Sequence, residues 1–339
     1  MDVLLHLENL SLSFDTPEGE VQAVRGVDLT VKKGEILAIV GESGCGKTVM
    51  CQSVMKLLPG NARIASGKII VDGTDITNYS EKEMRSLRGT TFSMIFQDPM
   101  ATLNPTMPIG KQITEAIHQH RNVSNDEAKS RALELLELIG IEDPVHRYDL
   151  QPHFFSGGMR QRCVLAIALA SNPKIIFADE PTTALDVTVQ AKMLNLLLEI
   201  RDKTGVAIVF VSHDLGVVAR IADRVAVMYA GKIVEIGTVE EIFYDPRHPY
   251  TWGLMQALPS LAKDGQPLKS IPGMPPVLLK PPKGDAFAER NEYAMKIDYE
   301  LMPPMFQITP THNAATWLLD ERAPKIQSPF CLNQENKNQ

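Results

Sequence analysis

Residues 41–48 read Gly41-Glu42-Ser43-Gly44-Cys45-Gly46-Lys47-Thr48 and fit Gly-x-x-x-x-Gly-Lys-Ser/Thr, a phosphate-binding loop. The setting strengthens the match. Glu35-Ile36-Leu37-Ala38-Ile39-Val40 is a short apolar run of the kind a buried parallel strand uses. Val49 to Leu58 reads as a helix stopped by Pro59-Gly60. Strand, glycine loop and helix together gather backbone N–H groups and a helix N-terminus, carrying about +0.5 charge, around one small volume. Lys47 is expected to reach the β and γ phosphates of a nucleotide, and Thr48 to ligate Mg²⁺. Taken alone, the same letters describe an ordinary glycine turn.

At 339 residues, the length predicts two structural units or one large unit with an extension. A net charge of −7 argues against a general nucleic-acid binder, which carries a basic face. The longest apolar stretches, such as Val206–Val211, fall far short of the roughly 20 residues that span a bilayer. The first residues lack the basic region and cleavage site of a signal peptide. Cys45, Cys51, Cys163 and Cys331 form no C-x-x-C pair and suggest no disulfide framework, so a reducing cytoplasm is expected.

Taken in order, residues 3–14 read as a first strand, 21–31 as one or two more, and 67–73 as a short strand with a turn. Residues 81–87 look helical, and 91–96 form a strand that delivers Gln97. From about 100 to 158 the periodicity turns helical, over 109–120 and 125–140, as in an inserted helical subdomain. A helix from Ser156 to Ala170, a strand over 175–178, a helix over 189–203 and a strand over 206–212 follow. Residues 224–229 and 232–237 resemble a hairpin around Ala230-Gly231. Beyond about 245 prolines become frequent, at Pro246, Pro249, Pro259, Pro267, Pro272 and onward, which predicts a linker or arm leading to a small C-terminal unit. Residues 329–339 read as a polar, disordered tail.

Two further patterns bear chemistry. Ile175–Ala178 ends on Asp179-Glu180, where Asp179 is suited to hold Mg²⁺ through water and Glu180 to polarise the attacking water. Phe155-Ser156-Gly157-Gly158-Met159 opens a helix, a second anion site of the same physical kind. One chain rarely needs two such sites for one triphosphate, but a dimer can use both. By itself Ser156 is an ordinary helix N-cap.

The phosphate loop, Gln97, Ser156-Gly157-Gly158, Asp179-Glu180, Thr183-Ala184-Leu185-Asp186 and His213 stand in the order found in ATP-binding-cassette (ABC) ATPases, which the chain resembles over about residues 3–240. The resemblance implies an α/β fold: a P-loop NTPase core with an antiparallel β subdomain, an inserted α-helical subdomain and a small C-terminal extension. It implies domains of 1–245 and 246–328. It also implies that ATP is held by Phe14 (stacking on adenine), Gly41 to Val49, Asp179 and, across a dimer, Ser156 to Met159. Mg²⁺ would be held by Thr48, Gln97 and Asp179, with Glu180, Gln97 and His213 as catalytic residues. Three departures stand out: Phe155 and Met159 replace the family's Leu and Gln around the Ser-Gly-Gly turn, and Thr183 replaces Ser. Cys45, beside Lys47 and near a helix N-terminus, reads either as a thiol of lowered pKa that reacts with alkylating agents or as a small residue that simply fits the loop.

Phe96-Gln97-Asp98-Pro99-Met100-Ala101-Thr102-Leu103-Asn104-Pro105 and Arg247-His248-Pro249-Tyr250-Thr251 are similar to the importer ATPases for oligopeptides, dipeptides and nickel. That likeness implies two transmembrane permease subunits, a paralogous ATPase subunit in a heterodimer, and an extracytoplasmic peptide-binding protein. It implies a peripheral place on the cytoplasmic face of the membrane, and a groove near Gln97 to Pro105 that receives a permease helix. A soluble ABC ATPase of DNA repair or translation is the competing class. Many relatives are thought to hold an iron–sulfur cluster on four cysteines of the C-terminal arm. The corresponding places here are Asp285, Asn291, Asp298 and Thr316, within a frame that keeps Phe287, Arg290, Ala294-Met295 and His312. Such clusters need thiolate, so no cluster is expected. Apolar contacts from Phe287, Tyr293, Met295, Phe306 and Trp317 are expected to hold the arm instead.

Overall fold

The computed structural model describes residues 2–98, 102–183, 185–258, 270–326 and 328. The tail 329–339 with Cys331, the segment Pro99-Met100-Ala101, Ala184, Pro259 and Pro267 lie outside the described residues. The fold is α/β. Its strands are β1 (Val3–Thr16), β2 (Gly19–Lys32), β3 (Ile36–Val40), β4 (Ala62–Val71), β5 (Thr74–Asp75), β6 (Phe92–Ile95), β7 (Ile175–Asp179), β8 (Ala207–Ser212), β9 (Arg224–Tyr229), β10 (Lys232–Thr238), β11 (Phe306–Gln307) and β12 (Asn313–Ala314). The chain forms two compact units, one built on Thr77–Val211 with Val31–Ile36, the other on Leu5–Thr30, Leu37–Ile76 and the chain from Ser212 onward.

In the first unit β7 pairs in parallel with β6 and with β8, aligning Phe177 with Met94 and with Val209. Every residue of β7 and β8 is buried, as continuous Ile/Val/Phe runs covered on both faces require. The helices Ile109–His120 and Asn125–Leu138 bury Ile113, Ile117, Ala132, Leu135 and Leu136 along one stripe each. Ser124 caps the second with a capping box to Glu127, a device that contributes about 1 kcal/mol. Gly110 is required here, since a Cβ would enter the Tyr148 ring. The helices Gly157–Leu169 and Val187–Thr204 follow, the latter capped by Asp186 and closed by Gly205 at φ 70°.

In the second unit β1 and β4 pair antiparallel with a bulge between Glu8 and Ser11, β4 turns into β5, and β2 flanks β1. Separately, β3 pairs in parallel with β9, and β9 folds onto β10 through Ala230 (φ 45°) and Gly231 (φ 79°). The C-terminal arm continues that sheet: β12 pairs with β10, placing Ala314 against Glu235, and β11 pairs with β12. Below this edge the Glu235 carboxylate is fully buried. It accepts from the backbone N–H groups of Arg247 (2.6 Å) and His248 (3.1 Å) and lies 2.8 Å from His312 Nε2.

The structure refines the expected elements in several places. The helix after the phosphate loop is Lys47–Val54, shorter than Val49–Leu58, because the chain turns at Lys56 (φ 51°) before Pro59 is reached. Residues 19–32 form one strand. The proline-rich stretch is not all linker. Pro249 starts the helix Pro249–Gln256, since its missing N–H would be unpaired in a first turn anyway, and Tyr250, Trp252 and Met255 are buried. The arm's aromatic residues pack as expected at Phe287, at Tyr293 against Trp252 (5.4 Å) and at Phe306 against Trp317 (6.2 Å).

Candidate nucleotide site

The phosphate loop links β3 to the helix Lys47–Val54 within the second unit. Its glycines are structurally necessary. A Cβ on Gly41 (φ 152°) would collide with the Met228 carbonyl oxygen, and one on Gly46 (φ 106°) with that of Ala23. Gly46 is also the helix N-cap, in a left-handed conformation with no side-chain cap, so no side chain at the cap competes for the first-turn N–H groups. Lys47 is buried and its Nζ donates to the carbonyls of Gly41 (2.8 Å) and Glu42 (2.9 Å). An ammonium held on main-chain carbonyls is one that a phosphate can draw away with stronger, charge-assisted bonds.

Cys45 corrects an expectation. Its Sγ lies 3.7 Å from Lys47 Nζ, but the residue is only 5% exposed, and burial raises the thiol pKa by more than the lysine lowers it. Burial also pushes Cys163 up, to about 12.

Glu42 is held from the C-terminal segment of the same unit. Its backbone N–H donates to Tyr250 Oη at 2.8 Å. Its carboxylate accepts two bonds from Arg290, 2.6 Å from Nη1 and 2.8 Å from Nη2. Arg290 also donates to Tyr229 Oη (3.2 Å) and, through Nε, to the Pro272 carbonyl (2.7 Å), and its guanidinium lies over the rings of Tyr229 and Phe287. Sequence reasoning missed both Tyr250 and Arg290 as neighbours of the loop. Their 208- and 248-residue separations from Glu42 leave no local signal.

In the first unit Glu180 follows β7 with φ 48°. Its N–H bonds the Val211 carbonyl (3.0 Å), and its Oε2 accepts from Gln97 Nε2 (3.1 Å) and Thr183 Oγ1 (3.1 Å). Asp179 is buried at the end of β7. Gln97, Glu180 and Thr183 are thus brought together. At Ser156 the hydroxyl caps the following helix through Met159 N–H (3.4 Å). A Cβ on Gly158 would strike Val189. The two unusual residues of this turn share a partner: Arg147 lies over the Phe155 ring at 5.8 Å and reaches Met159 Sδ at 3.9 Å. Phe14 stands half-buried on β1 opposite Ala62, and His213 is exposed just after β8. Thr48 and Val49 lie in the first turn of the loop's helix.

Asp285, Asn291, Asp298 and Thr316, the positions expected to stand in place of cluster-binding cysteines, are all buried. Asp285 accepts from Phe287 N–H, Asn291 from Tyr293 N–H, Asp298 from Met295 N–H and Thr316 from Leu318 N–H, at 2.6 to 3.3 Å. They are turn-forming acceptors, and oxygen donors of this kind do not suit an iron–sulfur core.

The "ABC transporter" family model matches residues 24–183, and the "Oligopeptide/dipeptide transporter, C-terminal region" model matches residues 234–297. The oligopeptide transport ATP-binding protein OppD of Bacillus subtilis is 58% identical over 328 residues, which cover 96% of this chain and 92% of that one. The dipeptide transport ATP-binding protein DppD of Lactococcus lactis is 53% identical, covering 95% and 93%. Among solved structures, the dimeric post-hydrolysis cassette MJ0796 bound to ADP and Pi matches with a TM-score of 0.62 and 28% identity, over 70% of this chain and 99% of that one.

Proposed function

The chain belongs to the ABC transporter family, and from that premise we propose that it is the ATP-binding subunit of an importer, coupling ATP hydrolysis to uptake of oligopeptides. The observation that carries the nucleotide half is the phosphate loop, with Lys47 Nζ resting on the Gly41 and Glu42 carbonyls. The peptide half is supported by likeness to an oligopeptide transport protein that runs through the C-terminal arm.

The proposed roles follow the chemistry of each group. Backbone N–H groups from Gly41 to Val49 and the Lys47 ammonium bind phosphate, and Phe14 stacks on adenine. Glu180 takes the proton of the attacking water, Gln97 orients that water, and His213 contacts the γ-phosphate. Oxygen donors on Thr48, Gln97 and Asp179 (the last through water) are the kind a hard Mg²⁺ requires, and the ion would neutralise phosphate charge. Ser156 to Met159 close over the nucleotide of a paired, paralogous ATPase subunit. Two permease subunits and an extracytoplasmic peptide-binding protein complete the complex. Among the described residues no helix is long and apolar enough to cross a membrane, in keeping with a peripheral subunit on the cytoplasmic face.

Reconstituting the chain with its permeases and paired ATPase in proteoliposomes tests the proposal. Labelled oligopeptide should enter only with MgATP. Selective uptake of dipeptides or nickel would redirect the substrate, and failure to associate with any permease would favour a soluble ABC ATPase.

A further inference from the structure

We propose that Arg290, reaching from the C-terminal arm, is a positioning residue for the phosphate loop: it clamps Glu42 and so sets the loop's affinity for nucleotide. The inference rests on the nucleotide-site reading above and deepens it.

Glu42 is the second residue of the loop, and each of its polar groups has a separate partner. Its N–H is held by Tyr250, its carboxylate by both terminal nitrogens of Arg290, and its carbonyl by Lys47 and the Cys45 N–H. Arg290 itself has little freedom. Its side chain is 4% exposed, and Tyr229, Phe287 and the Pro272 carbonyl fix the guanidinium on its remaining sides. A planar fork held this way imposes one orientation on the carboxylate it grips, which a flexible ammonium cannot do.

The consequence for the ligand is direct. A loop that binds phosphate with backbone N–H groups works best when its shape is fixed beforehand, because ordering it on binding would weaken the complex. The position of the Glu42 carbonyl also fixes where Lys47 rests before phosphate arrives. An ion pair that merely stabilised the fold would be indifferent to nucleotide. A clamp on Glu42 makes affinity depend on a residue that does not itself reach the ligand.

The test measures MgATP and MgADP dissociation constants of the full-length chain, with thermal unfolding alongside, for Arg290→Gln, Glu42→Gln and the double variant. Each single change should weaken MgATP by roughly fivefold to twentyfold, the scale of a hydrogen-bonded charge pair. The double variant should bind no worse than the weaker single. Arg290→Lys should recover part of the loss. In the assembled transporter, Arg290→Gln should raise KM for ATP with little change in kcat. If Arg290→Gln does not fold, Arg290→Lys and Glu42→Gln carry the comparison, and both must weaken binding. A wild-type chain that binds no MgATP would sink the nucleotide-site reading and this inference together. Wild-type binding with unaffected single variants, additive losses in the double, or a drop in melting temperature without a change in affinity overturns the inference alone.

Discussion

Thr183 Oγ1 and Gln97 Nε2 donate to the same oxygen of Glu180, each at 3.1 Å. Two donors on one oxygen fix the carboxylate's direction. Thr183→Val keeps the shape and removes one donor. A bond of this kind contributes about 0.5–1.5 kcal/mol, so turnover should fall roughly threefold to tenfold. Thr183→Ser should remain close to wild type. A steady-state ATPase comparison of the assembled complex decides it: a loss in Thr183→Ser with Thr183→Val unaffected would show that the methyl group, and not the hydroxyl, matters.

Glu180→Gln leaves an amide of the same size in the same strained position (φ 48°) and removes the base. Turnover at this site should drop by roughly 10²–10⁴, while MgATP still binds. Nucleotide binding and single-turnover hydrolysis, measured side by side, separate the two. Unchanged single-turnover hydrolysis at this chain's own site would remove Glu180 from the role of base.

Much of this was legible from local pattern. The runs Ile36–Val40, Ile175–Ala178 and Val206–Ser212 announce buried strands, because strands covered on both faces lose the alternation of polar residues. Ile109–His120 carries its helix in its apolar spacing. The Asp179-Glu180 pair and the glycine loop are short and contiguous, so spacing alone reveals them. What escaped was long-range or governed by packing. Pro249 reads as a breaker from composition, yet at the first turn it starts a helix and delivers Tyr250 to Glu42. Arg290 reads only as one residue of the arm's frame, and only the fold brings it to the loop. The Cys45 expectation failed because neighbouring charge is visible in sequence while desolvation is not.

With its pKa raised by burial, Cys45 is a thiol at neutral pH. Iodoacetamide should therefore label it more slowly than a free cysteine at pH 7.5, with the rate rising steeply only in alkaline solution. MgATP should slow labelling further, since Lys47 and the loop would be engaged. Mass-spectrometric rates for the native chain against the same chain in denaturant give the comparison. Faster labelling in the native state would mean that lysine outweighs burial after all.

Asp285 is held up to about 6, first by burial and then by the charge of Asp298, against an ordinary value of 3.8. Its folded form therefore binds a proton that the unfolded form has released. This contribution to stability is present below about 4, is lost as pH rises through about 6, and stays lost above. His248, held down to about 3 by full burial, acts with the opposite sign across much of the same window, so a variant is more informative than the wild-type profile. Asp285→Asn keeps an acceptor for the Phe287 N–H and removes the charge. At pH 7.5 it should stabilise the chain by about 1–3 kcal/mol, from the shift at 1.36 kcal/mol per unit, and by little at pH 4. Denaturant unfolding at the two pH values measures it. A loss of stability at pH 7.5 would show that the charged carboxylate is needed where it sits.

The arm should carry no iron. Asp285, Asn291, Asp298 and Thr316, expected at the places of cluster-binding cysteines, spend their oxygens on the N–H groups of Phe287, Tyr293, Met295 and Leu318. Those bonds close the local turns that a cluster would otherwise tie together. The turns are further held by Phe287 against Tyr229 and Tyr250, at 5.2 and 5.3 Å, and by β12 on β10. Protein purified without oxygen should be colourless and free of stoichiometric iron and sulfide, and its melting temperature should not respond to chelators. Thr316→Val should cost about 1 kcal/mol through the lost turn bond, whether or not iron is supplied during expression. Iron and sulfide in fixed ratio to the chain, or a melting temperature that falls with chelator, would mean that the arm recruits ligands other than these four residues.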